Sequence, residues 1–161
     1  MPPSATLFPA LRPLYAFLPF SEQLGTAGQP TEAQFALVRD AGFETIVNLA
    51  PSNSTGALPD EDLIVEDLGL CYVSIPVRWQ DPKATDLSRF FAVMDERKGR
   101  EKLFVHCIAN MRVSAFMYLY RSLREGIPEP EARADMHRIW TPNPLWQTFL
   151  DSQRTDGEIK P

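Results

Sequence analysis

The chain has 161 residues, 44% hydrophobic and 23% charged, with a net charge of −5 at pH 7. That is enough chain for one domain with a substantial core, and we read 1–161 as a single domain with an extended N-terminal segment over 1–24. Lys and Arg are scattered along the chain, which argues against both the basic stripe of a nucleic-acid binder and a polybasic membrane-surface patch.

Cys71 and Cys107 are the two cysteines, too few for a disulfide framework and more at home in a reducing compartment. No apolar run approaches the roughly 18 residues of a membrane span. The start, Met1-Pro-Pro-Ser-Ala-Thr-Leu-Phe-Pro9, is broken by prolines and lacks the basic n-region of a secretory signal. The expectation is a cytoplasmic protein.

In chain order, Tyr15–Leu18 is a candidate edge strand and Gly25–Pro30 a loop. Thr31 reads as a helix N-cap with Gln34 at the capping-box position; Phe35, Val38 and Ala41 share one face, and Gly42 ends the helix. Glu44–Leu49 is a short apolar strand. Leu58–Leu68 reads as a helix with Leu63, Val65 and Leu68 inward and Gly69 as its stop. Cys71–Ile75 is a core strand, and Leu87–Lys98 a helix with Leu87, Phe90, Phe91 and Met94 as its apolar stripe. Leu103–His106 is a buried strand followed by a helix over Arg112–Glu125. Two further helices follow, at Pro128–Trp140 and Pro144–Gln153. Strands alternating with helices predict an α/β fold: a parallel-dominated sheet of four or five strands flanked by about six helices.

The chemistry concentrates in Leu103-Phe-Val-His-Cys-Ile-Ala-Asn-Met-Arg-Val-Ser114. Cys107 stands between the end of a buried strand and the start of a helix, where anions bind and thiolates are stabilised. A free thiol titrates near 8.5, so a nucleophilic cysteine needs local positive potential. The backbone N–H groups of Ile108, Ala109, Asn110 and Met111, the helix dipole and Arg112 supply it, and the same donors suit a phosphoryl group. Arg112 can grip such oxygens in bidentate fashion. Ser114, one turn into the helix, is placed to donate a hydrogen bond to the thiolate. A buried core cysteine beside a surface arginine is the plainer alternative; His106 and the strand–loop–helix setting favour an anion-binding loop.

His106-Cys107 through Arg112 and Ser114 resembles the phosphate-binding loop of cysteine-dependent tyrosine and dual-specificity phosphatases, whose pattern is His-Cys, five residues, Arg, then Ser or Thr. Gly28-Gln-Pro30, Ala41–Leu49 and Ile75-Pro-Val-Arg-Trp79 resemble a bacterial branch of small dual-specificity-like phosphatases, described as beta-lactamase-hydrolase-like or as a domain of unknown function. The likeness covers roughly residues 24–150. It implies Cys107 as nucleophile with a phosphocysteine intermediate, Arg112 on the phosphate, His106 tuning the thiol from behind, and no cofactor or metal. The implied partners are a phosphorylated protein or a small phosphate ester, with neither nucleic acid nor membrane.

Two departures stand out. Only four residues separate Cys107 from Arg112, and Asn110 stands where a mid-loop glycine is usual; Asn is the next-best tenant of a positive φ. The general acid is sought on the loop after Cys71–Ile75, with Asp81 first and Asp86 second, Asp86 fitting a helix cap better. Trp79 reads equally as pocket mouth or packing, and Asp60-Glu-Asp62 as acids at a helix start. Two other functions fit the loop: a phosphate-binding module without turnover, and a rhodanese-like sulfurtransferase, whose loops share the Cys-x4-Arg spacing.

Overall fold

The computed structural model describes residues 7–159 of the chain. A short 3-10 turn, Pro9–Leu11, precedes a tight antiparallel hairpin of β1 (Leu18–Ser21) and β2 (Leu24–Ala27). The sequence pointed elsewhere, to a strand at Tyr15–Leu18 and a loop from Gly25. Gly25, Thr26 and Ala27 have turn-like composition, yet β2 is buried throughout. A Cβ on Gly25 would stand 3.1 Å from the Phe43 ring, so the small residue answers a close approach rather than a turn.

Thr31 and Gln34 form the expected capping box and start α1 (Glu32–Asp40), whose Phe35 and Val38 face the core. Next come β3 (Thr45–Asn48), α2 (Glu61–Asp67) and β4 (Cys71–Ser74). Val65 is buried in α2, whereas Leu63 is exposed, against expectation. At about 100° per residue the two point to opposite sides of the helix. Cys71 is exposed at the start of an edge strand, not part of the core.

The second half contains α3 (Ala84–Arg97), β5 (Leu103–His106), α4 (Met111–Leu123), α5 (Glu129–His137) and α6 (Pro144–Ile159). Leu87, Phe90, Phe91 and Met94 are all buried along α3, as their spacing predicts. The sheet order is β1-β2-β5-β3-β4, with β1 alone antiparallel. Among the described residues the architecture is thus α/β, with five mostly parallel strands and six α-helices, as read from the sequence.

Alternation along β5 divides two apolar layers. Leu103 and Val105 pack with α3, α4 and α6, while Phe104 packs with Phe35, Val38, Ile46 and Val65 on the other face. Ala27 and Asn48 both pair with His106, so the carboxyl ends of β2, β5 and β3 lie level. Cys107 emerges there, from the central strand, on the side where open α/β sheets bind ligands. No described helix is long and apolar enough to cross a membrane.

Candidate active site

The β2 side of the sheet braces the loop that follows β5. The Cys107 N–H donates to the Ala27 carbonyl at 3.4 Å, and Gln29 N–H donates to the Ile108 carbonyl at 2.9 Å. A Cβ on Gly28 would stand 2.5 Å from that Ile108 oxygen, so the backbones approach as only glycine allows. Asn110 takes φ 62°, the left-handed conformation its position suggested. Its side-chain amide donates to the Ala16 carbonyl at 2.9 Å and to the Thr26 hydroxyl at 3.1 Å. Its own carbonyl accepts the first helical bond of α4, from Ser114 N–H at 2.8 Å. A side chain therefore replaces the mid-loop glycine and adds two anchors that glycine lacks.

Helix α4 begins at Met111, one residue before the expected start, which places Arg112 in its first turn. Across the cavity, the chain leaving β4 folds over the end of β3 through Ile75 N–H to Asn48 O and Val77 N–H to Leu49 O, each at 2.9 Å. That brings Val77 and Trp79 opposite the loop. Arg112 donates to the Val77 carbonyl at 3.0 Å, and its guanidinium lies 5.9 Å from the Trp79 ring centre. The Trp79 carbonyl in turn accepts the Trp146 indole N–H at 2.9 Å, and its ring packs against Trp140 and Trp146.

Cys107, Ile108, Ala109, Met111, Arg112 and Trp79 line a cavity of about 190 Å³. Five of these were singled out from the loop sequence, and Trp79 sits at the wall that was one of its two readings. Cys107 is almost fully buried at 1% exposure. The expected thiolate donor, Ser114, is placed otherwise: its hydroxyl donates to the Met111 carbonyl at 3.0 Å. A serine in the first turn of a helix finds a backbone acceptor close by, and its single proton is then spent.

The two acid candidates do not line this cavity. Asp81 is exposed and pairs with Lys83 at 2.9 Å. Asp86 lies at the third position of α3 and accepts the Lys83 N–H at 3.1 Å, closing the N-terminus of that helix. Asp81 sits in a tight turn closed by its N–H on the Arg78 carbonyl, and the turn holds it at the surface.

His106 points to the opposite face of β5 and is fully buried. Its Nδ1 lies 3.0 Å from the Cys107 carbonyl oxygen, and its Nε2 lies 2.8 Å from Oε2 of Glu61. Glu61, the first residue of α2, is 6% exposed and also accepts bonds from Gln29, Asn48 and Tyr72. Burial works to raise its carboxyl above the ordinary range. The His106 hydrogen bond and charge, with the bonds from Gln29 and Tyr72, outweigh that and hold it lower. Burial above all, and then the Glu61 charge, push the Tyr72 hydroxyl up. Sequence reading treated Glu61 as one of three acids at a helix start; nothing in Asp60-Glu-Asp62 marks the middle one as buried.

The two cysteines lie at opposite ends of the sheet and both are free. Among the described residues no group of His, Cys, Asp and Glu is arranged to hold a metal ion.

No protein-family model and no curated protein matches the chain. Solved structures do. A phosphatase candidate of the DUF442 family from Shewanella putrefaciens CN-32 is 39% identical, covering 91% of this chain and 95% of that one, with a TM-score of 0.82. TpbA from P. aeruginosa, solved as a cysteine-to-serine variant with phosphotyrosine, is 13% identical over 90% and 91% of the two chains, TM-score 0.67. Kinase-associated phosphatase, solved with its catalytic-site cysteine replaced by serine, is 13% identical over 86% and 89%, TM-score 0.73. The last two share the fold, and the first shares about two fifths of its sequence and nearly its whole length. The chain belongs to the DUF442 family, and its fold is that of the tyrosine-phosphatase-like structures.

Proposed function

We propose that the protein is a cysteine-dependent phosphatase acting on phosphomonoesters. The observation that carries this reading is the cavity shared by Cys107 and Arg112 at the N-terminus of the 13-residue helix α4. The Cys107 thiolate attacks phosphorus; the S–P bond forms as the ester P–O bond breaks, and the departing oxygen takes a proton. Water then attacks phosphorus, the S–P bond breaks, and inorganic phosphate leaves. Backbone N–H groups of the loop and the Arg112 guanidinium hold the non-bridging oxygens. The Val77 bond occupies one of that guanidinium's five N–H groups.

The cavity lining includes no carboxylate. The reading therefore assigns the leaving-group proton to solvent and favours esters of acidic alcohols and phenols, whose oxygen departs without help. Family membership supports phosphatase chemistry over sulfur transfer. A phosphate-binding module without turnover is the second reading, favoured by the surface position of Asp81.

Hydrolysis of an aryl phosphate separates the two. The wild type should turn over and Cys107→Ser should lose about a thousandfold or more. A wild type that binds vanadate but releases no more phenol than buffer would leave only the binding module.

A further inference from the structure

Behind the cavity lies a pair of ionisable groups, His106 and Glu61, whose role here rests on Cys107 being the nucleophile. The hydrogen bonds around Glu61 fix where the protons lie. The Ala50 N–H donates to Oδ1 of Asn48 at 2.9 Å, which orients that amide and leaves Nδ2 as the donor to Glu61 Oε2 at 3.0 Å. The same Nδ2 donates to the Tyr72 hydroxyl at 3.0 Å, so the single Tyr72 proton goes to Glu61 Oε2 at 2.8 Å. Gln29 Nε2 lies between two acceptors, the Pro30 carbonyl at 3.0 Å and Glu61 Oε1 at 2.6 Å, and donates to both.

Three donors thus converge on Glu61 before His106 is considered, the setting of an ionised carboxylate. His106 Nδ1 faces a backbone carbonyl, which can only accept. His106 Nε2 faces the carboxylate. Both ring nitrogens therefore face acceptors, an arrangement that suits an imidazolium, which donates from both.

We propose that Glu61 is a positioning residue that holds His106 as this buried imidazolium, fixing the Cys107 carbonyl through Nδ1–H and favouring the Cys107 thiolate. A histidine buried without a counter-charge gives up its proton. The ring is bonded to the Cys107 carbonyl through Nδ1 and to the carboxylate through Nε2, so the positive end of the pair faces the Cys107 backbone. Arg112 on α4 shares the cavity with Cys107, and behind it His106 on β5 meets Glu61 on α2, which in turn meets Tyr72 on β4. Asp60, Asp62 and Glu66 line the cleft on the α2 side.

The test uses the full chain with Cys71→Ser, which leaves Cys107 as the one thiol. The chain has two histidines, so ring-nitrogen NMR assigns simply. At neutral pH the His106 ring should carry protons on both nitrogens. In Glu61→Gln it should carry one, and iodoacetamide should alkylate Cys107 about tenfold more slowly. Glu61→Asp, which keeps the charge, should restore part of that rate.

A His106 ring with a single proton in the parent overturns the proposal, and this measurement does not depend on how well any Glu61 variant folds. Alkylation of the Glu61→Gln protein at or above the parent rate also overturns it, because the carboxylate would then be neutral toward the thiolate or opposed to it. Neither readout needs a substrate. Absence of aryl phosphate turnover would count against the phosphatase reading and leave this result standing.

Discussion

The Arg112 guanidinium donates to the Val77 carbonyl at 3.0 Å, which ties the first turn of α4 to the chain leaving β4. The arginine comes one residue earlier than in the commoner loop pattern, yet it remains on the cavity wall beside Cys107. Early helix onset at Met111 and the left-handed turn at Asn110 together absorb the missing residue.

Arg112→Lys should keep the charge and lose the planar fork. A lysine can meet either the Val77 carbonyl or a phosphate oxygen as a point charge, but it cannot hold two oxygens in parallel. We expect kcat/KM for an aryl phosphate to fall about a hundredfold with little change in thermal midpoint.

Asn110 carries both the turn and its anchoring. Asn110→Gly keeps access to the left-handed conformation and removes the bonds to Ala16 and Thr26. Asn110→Ala removes those bonds and adds backbone strain. Denaturant unfolding should place the alanine variant about 1 kcal/mol below the glycine variant, and both below wild type. Equal stabilities for the two variants would show that the left-handed turn costs nothing there.

Asp81→Asn should leave aryl and alkyl phosphate hydrolysis at wild-type rates. The carboxylate is paired with Lys83 at the surface and does not line the cavity. A selective loss on alkyl phosphates would mean that the 78–83 turn closes over bound substrate, bringing Asp81 in as a general acid.

How far the sequence reads follows from what each residue type reports. The stripe of Leu87, Phe90, Phe91 and Met94 and the Thr31–Gln34 capping box are local signals, so α1 and α3 were legible. The Cys107–Arg112 loop was legible because strand, loop and helix are contiguous in the chain. β2 was not, because Gly25 answers a close approach of Phe43 and Phe104, a long-range demand that imitates a turn in composition. Glu61 was hidden for the same reason: its partners Gln29, Asn48, Tyr72 and His106 come from four separate stretches of chain. Asp81 looked apt by its place on a loop, but a turn of four residues decides which way that side chain faces.

Stability should depend on pH through Glu61. Its carboxyl is held below the ordinary range in the fold, so its contribution is fully present above the unfolded-state value of about 4.3 and is lost as pH falls through the lower folded value. Glu61→Gln should therefore unfold more easily than wild type at neutral pH, by about 2 kcal/mol, because His106 gives up its proton and the charge-assisted bonds to the carboxylate are lost. The gap should narrow as acid protonates Glu61 in the wild type. A gap that is constant from neutral pH into acid would show that Glu61 contributes through packing alone.

In the proposed reaction Cys107 carries the phosphoryl group between the two half-reactions. Rapid acid quench of the wild type during turnover of an aryl phosphate, followed by peptide mass analysis, tests it directly. A phosphate adduct should appear on the peptide containing Cys107, none on the peptide containing Cys71, and none in Cys107→Ser. Steady turnover with an unmodified Cys107 peptide at every quench time, and undiminished turnover by Cys107→Ser, would contradict it.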